Sequence, residues 1–247
     1  MTLPREWLVP DWDVAPRVRA FVTTRAGGVS GGEFGSMNLG SRSGDAAANV
    51  ERNRAIVREH LPAAPRWMAQ VHGTDVADLD RLDDAQVPQA DAAIASRPGQ
   101  VTVVLTADCM PLLVSDEAGT RVAVAHAGWR GMAAGVIENT VQAMDIAPRK
   151  LRAWMGPTIG PAAFEVGPEV REAFLKSDPA ADGAFRSHQP GKFMADLYAL
   201  ARRRLARAGV ERVHGGGFCT YTEAQRFFSY RRVQASGRMG AFIWIEP

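Results

Sequence analysis

The sequence predicts an α+β fold with mixed or antiparallel sheets, and three observations point there. Short apolar runs of strand length crowd its first two thirds, at least three stretches carry a helical apolar stripe, and the two kinds of segment alternate without a regular β-α-β-α rhythm. No internal repeat or low-complexity segment interrupts the 247 residues, so a single domain over 1–247 is expected. The nearest thing to a linker is a polar, Ala- and Pro-containing patch around 177–191.

The first strand is VRAFVTT, 18–24. A loop of about twenty residues with seven glycines follows, RAGGVSGGEFGSMNLGSRSGD, and loops of that length inside a compact domain are usually functional or disordered. It lacks G-x-x-x-x-G-K-[ST], so its glycines are not a phosphate motif by themselves. Residues 47–60 read as a helix, with Val50, Ile56 and Val57 on one side. Strands are expected at RWMAQVHGTDVADL near 66–79, VTVVLTA at 101–107, PLLVSD at 111–116 and RVAVAHA at 121–127. A helix from Ala133 to Met144 presents Val136, Ile137, Thr140, Val141 and Met144 as its apolar stripe. Then come a strand at LRAWMG, 151–156, helices over 166–176 and 192–208, the second capped by Gly209, and a closing strand in GRMGAFIWIEP.

The bulk composition excludes several function classes. With 29 basic and 27 acidic residues the net charge is +2, which gives no argument for nucleic acid or membrane as a partner. No apolar run is long enough to cross a bilayer, and MTLPREWLVPDWDV lacks a signal-peptide pattern, so a cytoplasmic protein is expected. Two cysteines, Cys109 and Cys219, favour free thiols or metal ligands over a disulfide.

Three residues carry chemistry: His72 in QVHGTDV, Cys109 in TADCMPLLV and His126 in AVAHAGW. Taken singly, each has an ordinary structural explanation as a buried side chain. A register argument shifts the balance for two of them. A hairpin turn centred on Ala118-Gly119 places Cys109 within about two residues of facing His126. That pair serves two chemistries. Cys109 can be a nucleophile with His126 as its base, as in a Cys/His hydrolase or deamidase. Alternatively both are ligands of a transition metal with His72 as the third, a His₂Cys set that leaves one position open, as catalytic zinc sites do. Cys219 is not needed for either.

The Gly128-Trp129-Arg130-Gly131 segment, expected between a strand and a helix, offers backbone N–H groups and a guanidinium to an anion. Arg25, Arg231 and Arg232 are weaker candidates of the same kind. Asp108 could orient a ligand histidine or act as a base, although strand alternation points it away from Cys109.

The segments TTRAGGVSGGEFGSMNLGSRSGD, QVHGTDV, TADCMPLLV, VAVAHAGWRGMAAGVIENTV, GPTIGPAAFEVGPEV and CTYTEAQRFFSYRR followed by SGRMGAFIWI resemble the laccase-domain family. Its bacterial members have been called multicopper polyphenol oxidases and are now better described as purine nucleoside phosphorylases with adenosine deaminase activity. The resemblance runs in order from about residue 20 to the C-terminus. It implies mixed sheets in a sandwich with flanking helices, an architecture shared distantly with toxin deamidases that use a Cys/His pair. It implies that His72, Cys109 and His126 bind one catalytic zinc ion.

The implied activities are phosphorolysis of adenosine, inosine, guanosine and methylthioadenosine and deamination of adenosine, with purine nucleosides and phosphate as partners. A monomer or small homo-oligomer is expected. Arg25, Asn38, Arg130 and Arg231 are the substrate-contact candidates, and Glu165 and Asp91 the candidates for an acid/base. A non-catalytic zinc-containing binding module is the remaining alternative. Ala162-Ala163 stands where some members carry cysteines, and the H-x-E…P-C-x-x-C pattern of known zinc deaminases is absent. Copper is disfavoured, because a multicopper oxidase consumes many histidines and this chain has five: His60, His72, His126, His188 and His214.

Overall fold

A computed structural model describes residues 3–247, leaving only Met1 and Thr2 of the expected domain outside the described residues. Two sheets stack face to face. The smaller is antiparallel and orders β1 (Val18–Val22), β12 (Met239–Ile245) and β4 (Thr102–Thr106). The larger orders six strands: β11 (Arg212–Gly215), β7 (Leu151–Met155), β5 (Met110–Asp116), β6 (Val122–Ala127), β3 (Ala92–Ala95) and β2 (Val76–Asp78). It is mixed, with β11 parallel to β7 and β2 parallel to β3. A third, small sheet of β8 (Glu165–Val166), β10 (Phe193–Ala195) and β9 (Phe185–Ser187) lies to one side.

Helix α1 (Ala47–Arg58) covers the outer face of the smaller sheet, where Val57 joins Phe21, Val103, Phe242 and Trp244 in one cluster. On the far side, α2 (Trp129–Ala134), α3 (Val136–Ala143), α4 (Pro168–Leu175) and α5 (Leu197–Arg207) supply Met132, Val136, Ile137, Val170, Phe174 and Leu205 to the cluster on the larger sheet. The predicted sandwich with flanking helices is therefore the observed one.

The central hairpin explains its own sequence. Strands buried on both faces read as continuous apolar runs, and every residue of β5 and β6 is buried. Ala123, Ala125 and Ala127 face the helices, while Val122 and Val124 face the smaller sheet. His126 has the parity of Val122 and Val124, so it continues the inter-sheet face at the strand's end. The register pairs Met110 with Ala127 and Pro111 with His126, as a turn centred on Ala118-Gly119 requires.

Several expectations needed correction. No strand runs through 66–79: an isolated bridge at Arg66 and then β2 flank an irregular loop, in which His72 has a left-handed backbone at φ 61°. The 133–144 helix is two helices, starting earlier at Trp129 and broken at Gly135, whose φ of 108° no other residue adopts easily. The 192–208 segment opens as β10. It turns helical only after Asp196, whose carboxylate accepts from the Ala199 N–H as an N-cap. Strand β3 went unread because AAIA carries neither β-branched density nor alternation.

The glycine-rich loop is packed, not mobile. Asn53, fully buried on α1, donates to Ser30 Oγ, Ser36 O and Asn38 O and accepts from the Val29 N–H. Replacing it removes a partner from two loop carbonyls, the Ser30 hydroxyl and the Val29 N–H. Asn53→Ala is therefore expected to cost about 2–3 kcal/mol, read as a lower urea midpoint with an unchanged slope.

Candidate metal centre

The larger sheet and two loops bring His72, Cys109 and His126 together. One ligand atom from each lies within 4.8 Å of the others, the one such group of His, Cys, Asp and Glu among the described residues. Cys109 Sγ is 3.9 Å from His72 Nε2, and the two imidazoles meet edge to face with ring centroids 4.8 Å apart. Zinc bonds of about 2.0 Å to nitrogen and about 2.3 Å to sulfur fit inside such a triangle. His126 is buried, Cys109 half-buried and His72 exposed, so the group is closed on the sheet side and open at the rim.

Asp91, wholly buried just before β3, organises both histidines. Its Oδ1 accepts from His126 Nδ1 at 2.7 Å and from the His72 N–H at 3.0 Å. Its Oδ2 accepts from the N–H groups of Val71 and Gly73 at 3.0 and 2.7 Å. The bond to Nδ1 fixes the tautomer of His126 and leaves Nε2 free for a ligand role. The three amides hold the His72 loop in its left-handed turn. Asp91, offered above as an acid/base, has no solvent exposure and four contacts already made, an arrangement that suits positioning the two histidines.

Glycine is required next to the thiol. A Cβ at Gly128 would lie 2.7 Å from Cys109 Sγ and 3.3 Å from the His72 ring, and one at Gly131 would lie 2.8 Å from the Gly73 carbonyl. The glycines of HAGWRG thus admit the Cys109 thiol, the His72 ring and the loop that carries it. Arg130, exposed on α2, lies over the Trp129 ring with its guanidinium carbon 4.4 Å from the centroid.

Charge couples the three groups. Burial pushes the Cys109 thiol up, but the charge and hydrogen bonds of His126 and His72 outweigh it and bring its pKa down to about 6. Burial pulls His126 down, yet the Cys109 charge and the Asp91 hydrogen bond raise it to about 9. Burial also opposes ionisation of Asp91, and the bonds from His126, Gly73 and Val71 still draw it to about 2. Each shift favours the charged form of its group, because the three lie against one another.

The remaining candidates occupy the surroundings. Asp108 is not on a strand: it turns the chain at φ 83°, and its carboxylate accepts from Thr220 Oγ1 and the Arg231 N–H, both at 2.6 Å. Arg25 donates to Gly35 O and Ala224 O and stacks on Phe228, and Asn38 is fully buried. Arg231 donates to Glu165 O over the Phe164 ring, and Arg232 donates to Thr220 O, Tyr221 O and Phe227 O. Glu165 lies on β8, 3.5 Å from His188. Cys219 is half-buried and accepts from the Gly160 N–H at 3.2 Å. Sequence reasoning missed Arg238, which the Asn38-Leu39-Gly40 segment holds beside the Cys109 turn.

Residues 19–246 match the family model described as multi-copper polyphenol oxidoreductase laccase. The chain belongs to that family. Within the laccase-like family it is 50% identical over 241 residues to a Pseudomonas aeruginosa protein named purine nucleoside phosphorylase PA4543, covering 97% of this chain and 98% of the relative. It is also 50% identical to Escherichia coli purine nucleoside phosphorylase YfiH, over 96% of this chain and 98% of that one. Among solved structures, Neisseria meningitidis protein NMB0706 superposes with a TM-score of 0.94 at 45% identity, covering 98% of this chain and all 100% of that one. YlmD from Geobacillus stearothermophilus gives 0.90 at 31% identity, covering 100% and 98%.

Two outcomes follow from the geometry. Asp91→Asn keeps one acceptor oxygen but turns an NH₂ onto N–H donors. It should weaken metal affinity about 10–100-fold by chelator competition while the far-ultraviolet spectrum stays native. Metal binding needs a thiolate and neutral imidazoles. At pH 7 the thiol, with its pKa of about 6, is already ionised, while His126, at about 9, must lose its proton. About one proton per ion should therefore be released at pH 7, and more at pH 5 where the thiol must ionise too, measured by calorimetry in buffers of different ionisation enthalpy.

Proposed function

We propose that this protein is a zinc-dependent purine nucleoside phosphorylase, acting on adenosine, inosine, guanosine and methylthioadenosine, with a second, adenosine deaminase activity. The observation that carries the reading is the His72–Cys109–His126 group, rim-open and organised by Asp91, in a chain 50% identical over nearly its whole length to proteins named purine nucleoside phosphorylases. Two imidazole nitrogens and one thiolate suit zinc, and three protein ligands leave a position for chemistry. Bound there, zinc supplies Lewis acidity beside the rim. A multicopper centre calls for more imidazoles than this group holds, which supports a single ion despite the family's description.

In phosphorolysis an oxygen of hydrogen phosphate bonds to ribose C1′ as the C1′–N9 bond breaks. The bonding pair goes to the purine, which takes up the proton that phosphate gives up, leaving ribose 1-phosphate and free base. The protein's task is to place the two reactants in line at the rim and exclude water from C1′. His126 and Cys109 lie on the closed side, so the nucleoside enters past His72. In deamination water adds at C6 of adenine and ammonia departs, giving inosine.

One observation favours a second reading: Cys109, His126 and Asp91 also form a thiolate–imidazolium–carboxylate series, the arrangement of a cysteine hydrolase. The two readings part experimentally. Purified protein is expected to hold about one zinc per chain. With phosphate it should convert adenosine to adenine and ribose 1-phosphate, and without phosphate to inosine, followed by chromatography. Cys109→Ala and His126→Ala should lose metal and activity together. A metal-free protein of full activity, insensitive to chelators and trapped as a Cys109 adduct, would establish the hydrolase instead. No turnover of any nucleoside would leave a binding module.

A further inference from the structure

The glycine-rich loop builds a bed for one arginine. Asn38 Oδ1 accepts from the Arg238 N–H at 2.9 Å, and the Arg238 carbonyl accepts from the Leu39 N–H at 3.1 Å. Gly40 is glycine because a Cβ there would lie 2.7 Å from Arg238 Cγ. The side chain is therefore seated along its stem before any ligand arrives.

Its head group is left half-used. Nη1 donates to Ser236 O at 2.6 Å and Gly237 O at 3.0 Å, with Ser236 Oγ at 3.3 Å. Among the described residues, Nε and Nη2 have no hydrogen-bond partner, and no carboxylate lies within ion-pair distance of Arg238. The guanidinium carbon is 5.7 Å from the ring of Tyr230, itself 49% exposed, so one side of this arginine opens toward solvent. Nε and Nη2 form the edge that grips an oxyanion with two parallel bonds.

The position is beside the metal centre. Strand β12 pairs Met239 with Thr106 on β4, and one more step of that register sets Arg238 opposite Ala107, two residues from Cys109. Burial lowers the Arg238 pKa, while the charges of Cys109, Asp108 and Tyr230 act to raise it, as their nearness requires. The other arginines nearby differ in other ways. Arg25 commits Nε and Nη1, and Arg232 both terminal nitrogens, to backbone carbonyls. Arg231, like Arg238, uses only Nη1, but it is exposed where Arg238 is half-buried, and Arg130 is exposed on α2.

We propose that the Nε–Nη2 edge of Arg238 is the phosphate-binding element beside the His72–Cys109–His126 group, held ready by Asn38 and Gly40. The inference rests on the phosphorolysis reading, since it assigns the place of that reaction's anionic reactant. The test uses metal-loaded wild type, Arg238→Gln and Arg238→Lys. It measures inorganic phosphate binding by calorimetry and separate KM values for phosphate and nucleoside.

Two charge-assisted bonds are lost in Arg238→Gln, so its KM and Kd for phosphate should rise about tenfold or more, with nucleoside KM and metal content close to wild type. Arg238→Lys keeps the stem and charge but not the two-pronged edge, and should fall between; it also carries the test if the glutamine variant folds poorly. Unchanged phosphate dependence in both variants overturns the proposal and leaves the phosphorylase reading standing. Phosphate binding lost in Arg238→Gln, in a protein that cleaves no nucleoside, upholds the anion site and overturns that reading. No phosphate binding by wild type overturns the proposal outright.

Discussion

The buried carboxylate of Asp91 is the constraint on which the candidate site depends. A charge without solvent is costly unless donors surround it, and Asp91 collects four: three consecutive amides from 71–73 and the His126 ring. The demand runs both ways. The amides can reach one carboxylate only if the chain curls, which places His72 in a left-handed conformation that histidine rarely adopts. The ring can reach it only through Nδ1, which leaves Nε2 for the thiol side. One anion thus fixes the backbone of one histidine and the tautomer of the other. It is fixed in turn by β3 and by its own main chain, whose carbonyl accepts from the His126 N–H and whose N–H donates to the Asp75 carbonyl.

Around that charge, side-chain absence matters as much as presence. Gly128, Gly131 and Gly40 all have space problems a single methyl would expose: the thiol and His72, the Gly73 carbonyl, and the stem of Arg238. None of these three contacts is a turn requirement. They are places where two layers meet more closely than a Cβ permits, and all three lie against the candidate groups or the loop that carries them.

This is why the sequence was readable in some places and opaque in others. The hairpin 110–127 was legible because burial on both faces leaves an apolar run, and a short glycine turn sets its register. From that register Cys109 and His126 could be brought together, and His72 came through the resemblance to the laccase-domain family. The 66–79 segment was misread because its apolar spacing imitates a strand, while the force that curls it comes from a carboxylate about twenty residues away. Asp91 looked like a candidate acid/base because a sequence shows a carboxylate but not its four donors. Gly-Trp-Arg-Gly reads as an anion cradle, and its glycines also clear space for the thiol and the His72 loop; the two uses are spelled alike. Arg238 drew no notice because its neighbours Asn38 and Gly40 are two hundred residues distant.

The position of Cys109 explains how the candidate metal group and the proposed anion site come to lie side by side. Residues 107–109 are where the chain leaves β4 of the smaller sheet and enters β5 of the larger. Asp108 makes the crossing at φ 83°, held by Thr220, Arg231 and the donors that reach its carbonyl, Ile159 N–H and Thr158 Oγ1. His126 and Asp91 reach Cys109 from the larger sheet, and Arg238 and the glycine-rich loop from the smaller. The candidate groups meet at the seam between the two sheets, and each sheet supplies one of them. A substitution confined to the Asn38–Gly40 bed moves the arginine without touching any atom bonded to Asp91. The proposed anion site and the candidate metal group are therefore structurally separable, joined only through the three-residue crossing that carries the thiol.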